Sequence, residues 1–301
     1  MIPWKRLPPP SAHSRSLLFK LFANMSTKAD LNIASRIKFK KVDIFLKGVY
    51  EMTEAEAERS VFNALEDTAE WYENERGVGK GVRRFLTAHP DIPRSDLFIE
   101  TKLKTNRGYE QAKKSFSKSL RNLGLEYVDM YLIHSPLGGP QMREESWKAL
   151  LDLKESGTVR SIGVSNYGTH HMAQITTKRP QEEWPSINQV DVHPFMRHQD
   201  IVDFCGEHGI LIQTWGPLAR GMRFNHPRIK EIADKKGKSP AQIFLRWNIQ
   251  KGHAPIPKSV RKDRIIENSS IFDWELSDED MNYLEDLNED LVTDWDVTMV
   301  D

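Results

Sequence analysis

From residue 97 onward, short apolar segments alternate with amphipathic ones, and no other feature of the chain constrains its fold as strongly. Leu97-Phe98-Ile99 leads to Lys102, after which Ala112, Phe116, Leu120 and Leu123 recur at helical spacing. Val128 to His134 reads as a buried strand, and a helix around Trp147, Leu150 and Leu151 stops at Ser156-Gly157. Val159 to Val164, Ile187 to Val190 and Gly209 to Trp215 read as further strands. Helices are expected near 168–178, through Ile201, Val202 and Phe204, and from Ser239-Pro240-Ala241-Gln242 to about Gly252. Ala254 to Pro257 gives a last short strand, and Ser277-Asp278-Glu279-Asp280 opens a final helix with Met281, Leu284 and Leu287. Strand–helix units in tandem require parallel strands joined by right-handed crossovers. Polar residues gather at the carboxyl ends of these strands: Lys102, His134, Ser165-Asn166, Gln189 and Trp215. That distribution favours an α/β fold of the closed (β/α)8 TIM-barrel type, with one site at its top, over an open doubly wound sheet.

At 301 residues the chain has room for one large barrel or two ordinary domains. It contains no visible linker or repeat, so a single barrel domain with a C-terminal tail is expected over residues 31–301. Residues 1–30 are expected to be a disordered extension. Within it, Lys5, Arg6, Arg15 and Lys20 occur with no acidic residue before Met25, a weak likeness to a mitochondrial presequence. The plainer reading is an extension upstream of a start at Met25, with a cytoplasmic location. Lysine plus arginine and aspartate plus glutamate both number 43, so no global field attracts nucleic acid. No apolar run is long enough to cross a bilayer. The single cysteine, Cys205, excludes an intrachain disulfide and fits a reducing compartment.

The chemistry is suggested by Asp67 and Tyr72, a carboxylate and a phenol in a loop beside Lys102 and His134. A phenol donates a proton to a carbonyl more readily if its pKa falls from about 10. A desolvated Lys102 ammonium is expected to lower it, Asp67 to keep that lysine charged, and His134 to orient the carbonyl. Singly, each residue is better read as packing or as a structural ion pair; together at strand ends they form an acid for carbonyl reduction, with hydride supplied by a cofactor. Gly77-Val78-Gly79-Lys80-Gly81 imitates a phosphate loop, but no strand precedes it and it opens a helix. His170, His171, His193 and His198 have no acidic or thiol partner at metal-ligand spacing, so no metal is expected.

The chain closely resembles an aldo-keto reductase. The resemblance rests on Asp67-Thr68-Ala69 with Tyr72 and Asn74-Glu75, on Leu132-Ile133-His134, and on Gly163-Val164-Ser165-Asn166. It continues with Asn188-Gln189-Val190, His193-Pro194, Gly216 to Gly221, Ile256 to Val260, and Arg264 with Glu267-Asn268, so that it spans residues 48 to 290. It implies a general acid at Tyr72, completed by Asp67, Lys102 and His134. Ser165, Asn166 and Gln189 would then bind a nicotinamide amide, with Trp215 stacked on its ring where the family more often has Tyr. Gly216 and Leu218 would line the pyrophosphate, Gly216 without the serine hydroxyl common in the family. Lys258, Ser259 and Arg264 would take an adenosine 2′-phosphate, with Glu267 and Asn268 near the adenine. Two cations and a hydroxyl suit a phosphate dianion, which favours NADPH over NADH. Tyr50, Trp71, His134 and the tail around Trp295 would shape the pocket for a small carbonyl substrate, in a protein expected to be monomeric.

One region departs from that pattern. Thr53-Glu54-Ala55-Glu56 is a capping box, and Ala57, Val61 and Leu65 continue one helical face straight into Asp67. The glycine turn and second strand that should precede Asp67 are missing, and the first strand, ending Gly48-Val49-Tyr50, keeps one glycine of a usual pair. His134-Ser135-Pro136 also has Ser where many members place a Trp. Because strand number and shear are linked in a barrel, the loss is not local. The helix end unwinding to supply the strand, or a gap in the barrel, is expected around strands 1–2. A misplaced Asp67 would leave the alternative of a catalytically impaired NADPH-binding barrel with a regulatory or interaction role.

Overall fold

The computed structural model describes residues 46–48, 50–61 and 65–301. The extension expected over residues 1–30 lies outside the described residues. Eight parallel strands form one sheet in chain order. They are β1 Leu46–Gly48, β2 Leu65–Asp67, β3 Ile99–Leu103, β4 Val128–Ile133, β5 Val159–Ser165, β6 Ile187–Asp191, β7 Leu211–Trp215 and β8 Ala254–Pro255. Helices α1 Glu54–Val61, α2 Glu75–Ala88, α3 Tyr109–Leu123, α4 Gly139–Glu155, α5 Thr169–Thr176 and α6 Gln199–Glu207 follow β1 to β6 in turn. Both α7 Pro227–Lys236 and α8 Pro240–Gln250 separate β7 from β8, while α9 Lys262–Ser269 and α10 Asp278–Glu285 follow β8. The sequence reading passed over α7.

The sheet is curled. Adjacent strands lie about 4.8 Å apart, so β2 and β6 in a flat sheet of this order would be separated by about 19 Å. Yet Gln189 on β6 donates from Nε2 to Asp67 Oδ1 on β2 at 3.1 Å, and Gln213 on β7 donates to Glu100 Oε2 on β3 at 3.1 Å. Only a sheet rolled on itself brings those side chains together. Alternation along each strand then sorts the core into two. Met130 and Leu132 pack with Phe98, Ile187 and Ile256 in a small cluster that Leu211 and Trp215 border. The alternate residues Tyr131 and Ile133 join the large cluster beneath the helices, with Trp147, Phe116 and Trp247.

The second strand is present, which corrects the expectation that it is absent. The helix ends at Val61, and Leu65–Asp67 pairs in parallel with β1 on one side and β3 on the other. Leu65 therefore belongs to a strand rather than to the helical face of Ala57 and Val61. Of the expected outcomes, a helix that stops short and yields its following residues to the strand is the one realised. The cost is length: β1 and β2 have three residues each, against five to seven in β3 to β7. Among the described residues, no pairing between β8 and β1 closes the ladder.

Local signals explain the helices around this short strand. Thr53 and Glu56 form the reciprocal cap of α1, with Glu56 Oε2 accepting from Thr53 N at 2.9 Å and Thr53 Oγ1 from Glu56 N at 3.2 Å. Asn74, just before α2, accepts from Thr68 Oγ1 at 3.0 Å and donates to Met52 O at 3.1 Å, tying the loop after β2 to the start of α1. The glycines that imitate a phosphate loop serve packing. A Cβ on Gly77 would lie 2.1 Å from Glu54 O and one on Gly79 1.9 Å from Leu123 O, so α2 touches α1 and α3 through bare backbone. Gly79→Ala should lower stability by about 1–3 kcal/mol or more, measured by urea unfolding. Gly206→Ala, in open space on α6, should be neutral or stabilising by up to about 1 kcal/mol.

Candidate active site

Lys102, near the end of β3, is completely buried and uses all three of its ammonium protons. It donates to Asp67 Oδ1 at 2.5 Å, to Thr68 O at 3.0 Å and to Tyr72 Oη at 3.4 Å. Asp67 is the last residue of β2, and Tyr72 sits on a single 3-10 turn, Glu70–Tyr72, that follows it. Since Tyr72 Oη accepts from Lys102, its own O–H is directed away from the lysine. His134, one residue past β4, faces the Tyr72 ring edge-on with centroids 5.6 Å apart. The four residues predicted to act together are therefore brought together.

Their protonation follows from burial and charge. Burial opposes the Lys102 ammonium, but Asp67, aided by Tyr72 and Glu100, outweighs it and holds the lysine above its ordinary value. Burial, with the Lys102 charge second, pushes His134 well below its ordinary value, so the imidazole is neutral at pH 7. The sequence reading expected Lys102 to lower the Tyr72 pKa. The net shift is upward instead, because burial of the hydroxyl exceeds the opposing pull of Lys102 and Asp67 adds to the rise. Tyr72 thus keeps its proton across the neutral range, the state a proton donor requires.

A second group lines the tops of β5 to β7. Ser165 Oγ donates to Gln189 O at 2.8 Å, Asn166 Nδ2 to His134 O at 3.0 Å, and Trp215 Nε1 to Asn166 Oδ1 at 2.8 Å. Gly216 has φ of +63° and a Cβ there would meet Asp191 Oδ1 at 2.8 Å, so both conformation and space exclude a side chain. Leu218 packs partly buried against the core. Lys258 and Arg264 are exposed, Ser259 and Asn268 are buried, and Glu267 is half-buried. Lys258 Nζ lies 3.8 Å from Glu51 Oε2, and Arg220 joins Glu51 at 3.2 Å to Asp294 at 3.3 Å. Charged side chains thus span the opening between the turn after β1, the loop after β7 and the tail. Above Tyr72, Tyr50 is 5.1 Å from the Tyr72 ring, and Trp71 lies 6.0 Å from His134 and 6.3 Å from Trp295.

The family model for the aldo/keto reductase family matches residues 52–289. The chain belongs to the aldo/keto reductase family. Glyoxal reductase of Bacillus subtilis is 41% identical over 225 residues, covering 74% of this chain and 78% of the relative. A crystal structure of an aldo/keto reductase from Brucella melitensis superposes with a TM-score of 0.76 at 39% identity, covering 81% of this chain and 94% of that one. A Bombyx mori aldo-keto reductase, solved in complex with NADP, gives a TM-score of 0.78 at 28% identity, with 85% and 92% covered. Among the described residues of this aldo-keto reductase, no group of three His, Cys, Asp or Glu side chains is placed to hold a metal ion, and no helix is long and apolar enough to cross a membrane.

Two parts of this reductase escaped the sequence reading. Glu100 and Gln213 lie inside the barrel against Gln189 and Asp67. The signal was available, since a period of two puts Glu100 on the same face as Lys102. Asp191 at the end of β6 was also missed. It accepts from Thr293 Oγ1 of the tail at 2.8 Å and lies 3.6 Å from His193 Nε2. Burial raises Asp191 to about 7 and lowers His193 to about 3, so neither is an effective ion below neutral pH and His193 stays neutral. An unfolded aspartate loses its proton near 3.8, so raising the pH through 4 to 7 favours the unfolded chain at this position. Asp191→Asn should therefore melt near wild type below about pH 3.5 and about 2–4 °C or more above it at pH 8, by scanning calorimetry.

Proposed function

We propose that this protein reduces aldehydes or ketones to alcohols at the expense of NADPH, with Tyr72 as the proton donor. The observation that carries the assignment of Tyr72 is the Lys102 ammonium, which binds Tyr72 Oη and the Asp67 carboxylate at once. Bound NADPH supplies the hydride. Lys258, Ser259 and Arg264 would hold its 2′-phosphate, because two exposed cations and a hydroxyl suit a dianion. Ser165, Asn166 and Gln189 would bind the nicotinamide amide, Trp215 would face its ring, and Gly216 and Leu218 would border the pyrophosphate. Glu267 and Asn268 would lie at the adenine.

The substrate carbonyl would sit between Tyr72 and His134, under the aromatic wall of Tyr50, Trp71 and Trp295. His134, neutral, orients it by a hydrogen bond; Tyr72 releases its proton to the carbonyl oxygen as negative charge develops there. Lys102 then stabilises the tyrosinate, so its attraction is stronger in the transition state than before it. Asp67 keeps that ammonium charged and fixed. The similarity to glyoxal reductase supports small aldehydes as the first substrates to try. The alternative of a catalytically impaired barrel rested on a misplaced Asp67, and the 2.5 Å contact with Lys102 supports the active reading instead. We also read the protein as a cytoplasmic monomer that binds no membrane, and as one that binds no nucleic acid, the last of which its zero formal charge supports.

Tyr72→Phe should lower kcat for an aromatic aldehyde by about 10²–10⁴-fold while NADPH still quenches the tryptophan fluorescence; near-normal turnover would remove Tyr72 from its role. Exchanging Lys258 and Arg264 together for Met and Ala should weaken NADPH binding by about tenfold or more and leave NADH little changed, measured by the same titration.

A further inference from the structure

We propose that Glu100 carries a proton at neutral pH and donates it to Asp67, and that this makes it a positioning residue for the Asp67–Lys102 pair. The inference rests on the reading of Tyr72 as the acid and deepens it. Glu100 lies two residues before Lys102 on β3 and opposite Asp67 in the β2–β3 register, completely buried. Its Oε1 accepts from Gln189 Nε2 at 2.6 Å and its Oε2 from Gln213 Nε2 at 3.1 Å, and its carboxyl is within hydrogen-bonding reach of the Asp67 carboxylate.

Counting donors locates the proton. Gln189 Nε2 has two N–H groups but three acceptors around it: Asp67 Oδ1 at 3.1 Å, Glu100 Oε1 at 2.6 Å and Gln213 Oε1 at 2.6 Å. Turning the amide over would set its carbonyl against the same three acceptors, which is worse. The two contacts at 2.6 Å take the two N–H groups and leave Asp67 a longer, shared one, which a proton on Glu100, opposite Asp67 in the register, would complete. Gln213 is an amide, and the Lys102 ammonium lies 2.5 Å from Asp67 Oδ1, so of the two carboxyl groups Glu100 is the better place for the proton. Two adjacent buried carboxylates sharing one ammonium are also unfavourable as a doubly ionised pair. The charged or titratable groups acting on Glu100 among the described residues are Asp67, Tyr72 and Lys102, while Gln189 and Gln213 are neutral. Burial first, and Asp67 second, push the Glu100 carboxyl well above its usual range, against the pull of Lys102 and Gln213.

The consequence concerns Tyr72. With Glu100 protonated, Asp67 and Lys102 sum to zero charge beneath the phenol. When Glu100 ionises at higher pH, the added negative charge makes Tyr72 hold its proton longer. Glu100→Gln keeps an N–H donor toward Asp67 and cannot ionise, so its tyrosine should lose the proton earlier.

Infrared difference spectroscopy of wild type against Glu100→Gln tests the proton, and the pH profile of kcat for aldehyde reduction tests its effect. At pH 7 wild type should show the C=O stretch of a buried carboxylic acid that the variant lacks. The alkaline fall of kcat should move to lower pH in the variant by about half a unit or more, with NADPH affinity held within about twofold. Absence of the band, or alkaline limbs that coincide, would overturn the proposal. Undiminished turnover by Tyr72→Phe would instead sink the reading of the acid and leave the infrared result interpretable.

Discussion

The contact between Lys102 and Asp67 is the one on which the site depends. A fully buried ammonium is costly unless it is paired, and Lys102 has no exposure to water. Asp67 resolves that cost, and the geometry of resolving it fixes the rest: the third lysine proton can only go to Tyr72, which lies one 3-10 turn beyond Asp67. Breaking such a pair from one side leaves a stranded charge, typically worth about 3–5 kcal/mol. Stability and chemistry are therefore tied to the same atoms.

That pair is held by a short strand supported from across the barrel. β2 has three residues and adds few ladder hydrogen bonds of its own. Its end is secured by side chains: Gln189 reaches Asp67 from β6, and Asn74 links Thr68 to Met52. The polar layer of Glu100, Gln189 and Gln213 thus does for β2 what strand length does for β3 to β7. It also explains how charged and amide groups survive inside an apolar barrel, since each finds a partner there.

Much of this was legible in the chain. The alternation from Leu97 onward gives the parallel strands, and Ser239, Ser277 and Thr53 mark helix starts that the structure has as capping boxes. Lys102, His134 and Asn166 lie at or just past strand ends as predicted, whereas Gln189 is the central residue of β6. Two things were not legible, for different reasons. Whether Leu65 continues a helical face or starts a strand is decided by pairing with residues before and after it, which local periodicity cannot weigh. The direction of the Tyr72 shift depends on the balance between burial and the lysine charge, and composition gives neither depth nor distance. Glu100, by contrast, was readable from its spacing to Lys102 on the same strand face.

A double-mutant cycle on kcat, using Asp67→Asn, Lys102→Met and the two combined, tests most directly whether Asp67 and Lys102 act as one unit on Tyr72. Each single change should lower kcat by orders of magnitude, and the pair should cost no more than about threefold beyond the worse single change. Losses that multiply would mean that the two residues act separately, and would contradict the account.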